Sequence, residues 1–233
     1  MTVQTTDTDT DTDPGLSLGS GLSLGSGLSL DSGLSLDSGL SLDSEAAELL
    51  FRAARTANSF TDAPVPDEQV RAVHDLVKWA PTSMNTQPLR VTLVRTPQAR
   101  ERLVRHLSPG NQAKTAAAPL VAVLTADRNF HDLMPQVFPH NPGARDLFLD
   151  DRRRESFAVF NGALQVAYFI LGVRAAGLAA GPMTGYDAAA LEADLFPAGD
   201  RAVLAVVNLG RPGPDAFRPR LPRLDYDQVV GTI

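Results

Sequence analysis

The chain contains no cysteine. Disulfides, thiolate nucleophiles and cysteine–zinc sites are therefore excluded, and so is the usual mark of a secreted disulfide scaffold. Lysine is nearly missing, since Lys78 and Lys114 are the only two among 21 basic residues. No G-x-G-x-x-G follows a strand pattern and no Walker A sequence occurs, which argues against a Rossmann dinucleotide site and a P-loop. Residues 1–44 lack positive charge, holding seven Asp and no Lys or Arg. The rest of the chain carries 20 acids against 21 bases, so nothing predicts attraction to nucleic acid. A long apolar block is also lacking. The longest run, residues 157–173, is broken by Asn161, Gly162 and Gln165, which is short and polar for a membrane span. It reads as a buried helix. The N-terminus has no positive segment, and its leucines alternate with other residues instead of forming a signal-peptide core. The expected location is cytoplasmic, with no membrane partner.

What is present begins with repetition. Residues 15–44 are five hexamers of the form GLSL(G/D)S, preceded by a Thr/Asp run. The even period would align every leucine on one face of an extended chain. No second layer exists to bury that face, and Gly and Ser make ordering costly. Residues 1–44 are therefore expected to be a disordered low-complexity tail, and residues 45–233 the folded domain. With 43% apolar residues, a sizeable core can form.

Ser44 suits a helix N-cap with Glu45 and Glu48 behind it, predicting a helix to about Ala57. A second helix starts at Pro66 and buries Val70, Val73, Val77 and Ala80. Val91–Arg95 reads as a strand, Pro97–Leu107 as a surface helix and Asn111–Ala118 as a short helix. Pro119–Ala126 is a continuous apolar run typical of a central strand. Residues 127–143 read as a long loop. A helix over Glu155–Ala176 ends at Gly177, and Arg201–Leu209 is a second buried strand. The order predicts a sheet covered by helices on both faces. Trp79 is assigned to the core. The four histidines lack metal spacing, and no metal site is predicted.

Residues 80–90, APTSMNTQPLR, join a helix pattern to a strand pattern. Pro81 and Pro88 fix the backbone, while Thr82, Ser83, Asn85 and Gln87 can donate and accept hydrogen bonds. The stretch suits a polar planar ligand, and equally a polar connecting loop. Three further segments stand out. Arg55, Thr56 and Asn58 end the first helix. Gly181-Pro182-Met183-Thr184-Gly185 follows the long apolar helix, and glycine allows close backbone approach to a flat ring. Arg218, Arg220 and Arg223 follow the last strand, and arginine forks suit phosphate.

The order and spacing of these segments over residues 48–230 resemble the nitroreductase family. The resemblance implies an α+β fold with a central, mainly antiparallel sheet flanked by helices, and an intertwined homodimer. It implies FMN as cofactor and NAD(P)H as reductant. It places Arg55, Thr56, Asn58, Lys114, Arg220 and Arg223 near the flavin nucleotide, Asn58 standing where the family usually has a second Arg. Pro81, Thr82, Ser83 and Asn85 would line the flavin of the neighbouring subunit. Pro182, Met183 and Gly185 would meet its reactive ring, with a hydride passing through N5 in alternating, ping-pong chemistry. Within the family, residues 54–58, 80–85, 108–111, 138–140, 181–183 and 221–224 resemble the malonic semialdehyde reductase branch. The implied reaction reduces a small aldehyde acid, with Thr184 or solvent supplying the proton. A broad nitroaromatic or quinone reductase and a non-catalytic flavin-binding protein stand as alternatives.

Overall fold

The computed structural model describes residues 39–233. The disorder expected for residues 1–38, with most of the hexamer repeats, lies outside the described residues. Among the described residues four strands form one sheet in the order β1-β2-β4-β3, with every pairing antiparallel. They are β1 (Leu89–Val94), β2 (Leu120–Asp127), β3 (Ala179–Met183) and β4 (Arg201–Gly210). Around them run α1 (Ser44–Ala47), α2 (Asp67–Val77), α3 (Pro97–Arg105), α4 (Pro109–Ala117), α5 (Met134–Val137), α6 (Asp151–Ala175), α7 (Ala188–Leu195) and α8 (Tyr226–Val229). The α+β class and the antiparallel sheet agree with the expectation.

β2 explains why the sheet is covered twice. Its side chains alternate between faces, yet every residue in it is buried. Leu120, Ala122 and Leu124 pack with Val73 of α2 and Phe169 and Val173 of α6. Val121 and Val123 pack with Leu103 of α3, Leu191 of α7 and Leu107. An apolar run without alternation is what two covered faces require.

Several expected boundaries are corrected. Asp43, not Ser44, caps α1, its carboxylate accepting from the Ala46 N–H at 2.7 Å. The first helix stops well before Ala57, passing into a π-helical turn at Glu48–Arg52. Arg174 donates to the carbonyl of Leu49, and Arg220 to those of Arg52 and Ala54. With those acceptors occupied, the chain leaves the helix, and the Ala57 N–H pairs with Ala180 of β3. Residues 127–143 are not a plain loop, since they include a 3-10 turn at Phe130–Leu133 and α5. The Gly-Pro-Met segment lies within strand β3, whose position at the sheet edge tolerates Pro182. Helix α7 was not anticipated. Trp79 is 78% exposed and lies outside the core, with Lys78 Nζ 5.4 Å from its ring centroid.

α6 is buried on one side only. Asn161, Gly162, Gln165, Phe169 and Gly172 face inward, whereas Val159, Phe160, Leu164 and Tyr168 form an exposed stripe at helical spacing. The helix expected to be buried is thus buried on its inner face and exposed on the other. Among the described residues α6 is also the one helix long and apolar enough to cross a membrane, but it lies against all four strands and α2.

Candidate flavin site

Two of the sequence-selected segments meet at the β3 edge. Arg55 Nη1 donates to the carbonyl of Arg218 at 3.3 Å. Asn58 N–H donates to the Ala216 carbonyl at 2.8 Å, and its side chain reaches the Thr56 carbonyl at 3.3 Å. Arg55, Thr56 and Asn58 line a cavity of about 240 Å³ together with Arg218, Arg220 and Arg223. The four guanidinium groups there match the charge of a phosphate. Arg223 Nη1 also donates to the carbonyls of Leu221 and Pro222.

The end of β3 is held from a second direction. The Gly185 carbonyl accepts from Asn111 Nδ2 and from the Ser108 N–H, both at 3.0 Å. A Cβ on Gly185 would lie 2.7 Å from Asn111 Nδ2 and 3.1 Å from Ser108 Oγ, so no larger residue fits without displacement. Beneath it, Asn208 Nδ2 donates to Thr115 Oγ1, which donates in turn to Met183 Sδ. Lys114 precedes Thr115 on α4. Pro182 is half-buried and Thr184 exposed. Tyr186 donates from its hydroxyl to the Val203 carbonyl at 3.2 Å. Burial, and secondarily the charge of Glu192, push that phenol up to about 12, so it stays protonated. Asp194 sits between Arg102 and His106, whose hydrogen bonds pull its carboxyl down to about 2. It ties α7 to the end of α3, beside the loop that holds Gly185.

The third segment stands elsewhere. Ser83–Asn85 forms a 3-10 turn, and Met84, Asn85 and Gln87 have φ of 53°, 52° and 44°. Left-handed backbone at non-glycine residues costs about 1–3 kcal/mol each. Hydrogen bonds surround the strained stretch. Ser83 N–H donates to Asn161 Oδ1 at 2.7 Å, Gln87 N–H to Thr82 Oγ1 at 3.2 Å, and Leu89 N–H to Gln165 Oε1 at 2.9 Å. Asn85 Nδ2 donates to the Val137 carbonyl at 2.8 Å. Pro81, Thr82 and Asn85 line a separate cavity of about 460 Å³ with His74, Lys78 and Trp79. Asn161 lies 13 residues from Arg174, whose guanidinium binds beside the first segment. At 1.5 Å per residue, that is about 20 Å along α6. One chain thus joins Arg55, Thr56, Asn58, Arg220 and Arg223 beside the start of β3, and holds Pro81, Thr82, Ser83 and Asn85 apart from them.

Sequence reasoning missed Ser108, Thr115, Asn161, Gln165 and Asn208 as structural partners of these segments. Asn161 and Gln165 had a signal, being amides four residues apart within an apolar helix. Among the described residues no cluster of His, Asp and Glu suits a metal ion.

His131 is buried beside Phe130 in the wall that carries Val137. Burial lowers its pKa, and Arg154 and Arg145 add to the effect against the opposing charge of Asp132. The unfolded chain therefore takes this proton first as pH falls. Its contribution to stability is complete above about pH 6.5 and is lost as pH drops through the lower folded value. Urea midpoints at pH 7.5 and 5.5 check this: the drop in the wild type should shrink in His131→Gln.

A nitroreductase family model matches residues 52–211. A Streptomyces coelicolor protein provisionally named NADH dehydrogenase/NAD(P)H nitroreductase is 62% identical over 81% of this chain and 96% of its own length. A Streptomyces griseus protein of the same name is 60% identical with the same coverage. Among solved structures, one described as a nitroreductase in complex with FMN, from Exiguobacterium sibiricum, superposes with a TM-score of 0.72 at 16% identity. It covers 82% of this chain and 98% of its own. With the fold, the family match and these close relatives in agreement, the chain belongs to the nitroreductase family.

Proposed function

We propose that this protein is an FMN-dependent oxidoreductase that uses NAD(P)H and works as a homodimer. The observation that carries the reading is the cavity lined by Arg55, Arg218, Arg220 and Arg223, beside the chain that pairs with β3 at Ala180. Arg55, Arg220 and Arg223, with Arg218, would hold the phosphate by paired N–H donors. The Ser108 and Asn111 bonds fix the backbone at Gly185. Thr82, Ser83 and Asn85 would serve the site of a second copy, because their own chain holds them away from the arginines. Bound FMN would supply hydride transfer from a reduced nicotinamide to an organic acceptor. The exposed Thr184 hydroxyl stands at the end of β3, where it or solvent can deliver a proton to a reduced carbonyl.

The exposed stripe of α6 supports the dimer. So does the C-terminal segment, where Leu221, Leu224, Tyr226, Val229 and Ile233 are all exposed, since apolar surface of that extent marks an interaction site. For the substrate, the sequence combination through Phe138-Pro139-His140 and Leu221-Pro222-Arg223-Leu224 favours a small aldehyde acid such as malonic semialdehyde. The relatives' names favour a broad nitroaromatic or quinone reductase. Comparing kcat/KM for the three substrate types decides between them. Residues 1–44 are proposed to be dispensable for this chemistry, so their removal should leave activity intact.

The cofactor reading has its own test. Arg55→Ala and Arg223→Ala should each weaken FMN binding about 10–100-fold, the size of a lost charge-assisted hydrogen bond. Riboflavin, which lacks the phosphate, should bind wild type and variants alike. A protein that is colourless and does not respond to added FMN would overturn the proposal.

A further inference from the structure

We propose that Asn161 and Gln165 are positioning residues: a pair of buried amides on α6 that moulds residues 83–89 into the strained shape a flavin site needs. This inference rests on the FMN reading above. The two side chains lie one helical turn apart on the buried face of α6. Asn161 is fully buried and Gln165 nearly so. Each turns its carbonyl oxygen to one backbone N–H, that of Ser83 at 2.7 Å and that of Leu89 at 2.9 Å. Those two N–H groups bracket the three left-handed residues Met84, Asn85 and Gln87. Asn161 Nδ2 is itself fixed by the Phe157 carbonyl at 2.9 Å, so the amide cannot flip without losing a bond.

The spacing is the point. The rise between Asn161 and Gln165 is set by the helix, whereas the turn they hold is irregular. A rigid ruler thus fixes both ends of a segment whose own conformation is unfavourable. Burying two amides inside an apolar helix is costly unless they are hydrogen-bonded. Here the two oxygens go to the two ends of one stretch, the turn at Ser83 and the first residue of β1 at Leu89. α6 also packs on the sheet through Val166, Phe169, Ile170 and Val173. Held in this way, Thr82, Ser83 and Asn85 keep their polar atoms in a constant arrangement toward the second copy.

The test uses the full-length protein stripped of FMN, with Gln69→Met as the control. Gln69 Nε2 donates to the Ala176 carbonyl at 2.8 Å, a comparable amide bond at the far end of α6. Asn161→Ala and Gln165→Met should each weaken FMN binding by up to about tenfold, the size of one lost hydrogen bond. They should also change the visible circular dichroism of the bound flavin, which a loss of stability alone would not do. Gln69→Met should leave both readings unchanged. If Asn161→Ala fails to fold, Gln165→Met decides alone. Unchanged binding and dichroism in the variants, or an equal loss in Gln69→Met, would overturn the inference. If the wild type binds no FMN, the functional reading fails separately. Amide hydrogen exchange then decides the mould: faster exchange at residues 83–89 in both variants than in the control supports it, and equal exchange refutes it.

Discussion

Phe160→Glu and Leu164→Arg are each expected to convert the protein into a folded monomer that retains no FMN. Both side chains belong to the exposed stripe of α6, at 62% and 41% exposure. Charging a surface position costs a single chain little. Burying a Phe or Leu side chain contributes about 1.5–3 kcal/mol, and a twofold interface buries each residue twice. The loss is therefore about 3–6 kcal/mol, or roughly 10²–10⁴ in the dimer dissociation constant. Light scattering after size exclusion reads the mass, and flavin absorbance reads the cofactor. Two outcomes would refute the two-copy site. One is a variant that stays dimeric with its flavin. The other is a wild type that binds FMN fully as a monomer.

Gly172→Val should destabilise the fold markedly. α2 crosses α6 at Gly172, and a Cβ there would lie 2.2 Å from Val77 Cγ1 and 3.3 Å from Val73 Cγ1. A valine adds two more carbons to that gap. Overpacking a tight core costs about 1–3 kcal/mol, and more where the backbone must move. At the upper figure, the melting temperature of a domain this size falls by about 6–12 °C. Adding Val77→Ala opens the space and should restore part of the loss. The coupling between the two changes, read from urea midpoints, distinguishes a local clash from a general loss of helix stability. No recovery in the double variant would show that the crossing is not what Gly172 protects.

Much of the framework was legible because it obeys simple periodicities. β2 and β4 announced themselves as apolar runs, and α2 by valines on one face. β3 was not legible as a strand, since Gly and Pro have low strand propensity and only an edge position admits them. The end of the first helix was hidden because two distant arginines, Arg174 and Arg220, decide it by taking its carbonyls. Trp79 was misplaced because a large aromatic in a helical pattern ordinarily packs inward, whereas here the helix has already ended. At the site, the polar residues were visible as clusters. The partners that grip them were not, because hydrogen bonds between residues far apart in the chain leave no spacing to read. Asn161 and Gln165 are the exception, as interruptions of an apolar helix.

Trp79 is the only indole in the chain, and it stands in solvent next to the turn at Ser83–Asn85. Its emission should already lie at long wavelength in the native state, so denaturation will shift it little. The same placement makes it a natural optical reporter of docking. An isoalloxazine brought near that turn by a second molecule would quench it by energy transfer, and assembly of the active pair could be followed without any added label.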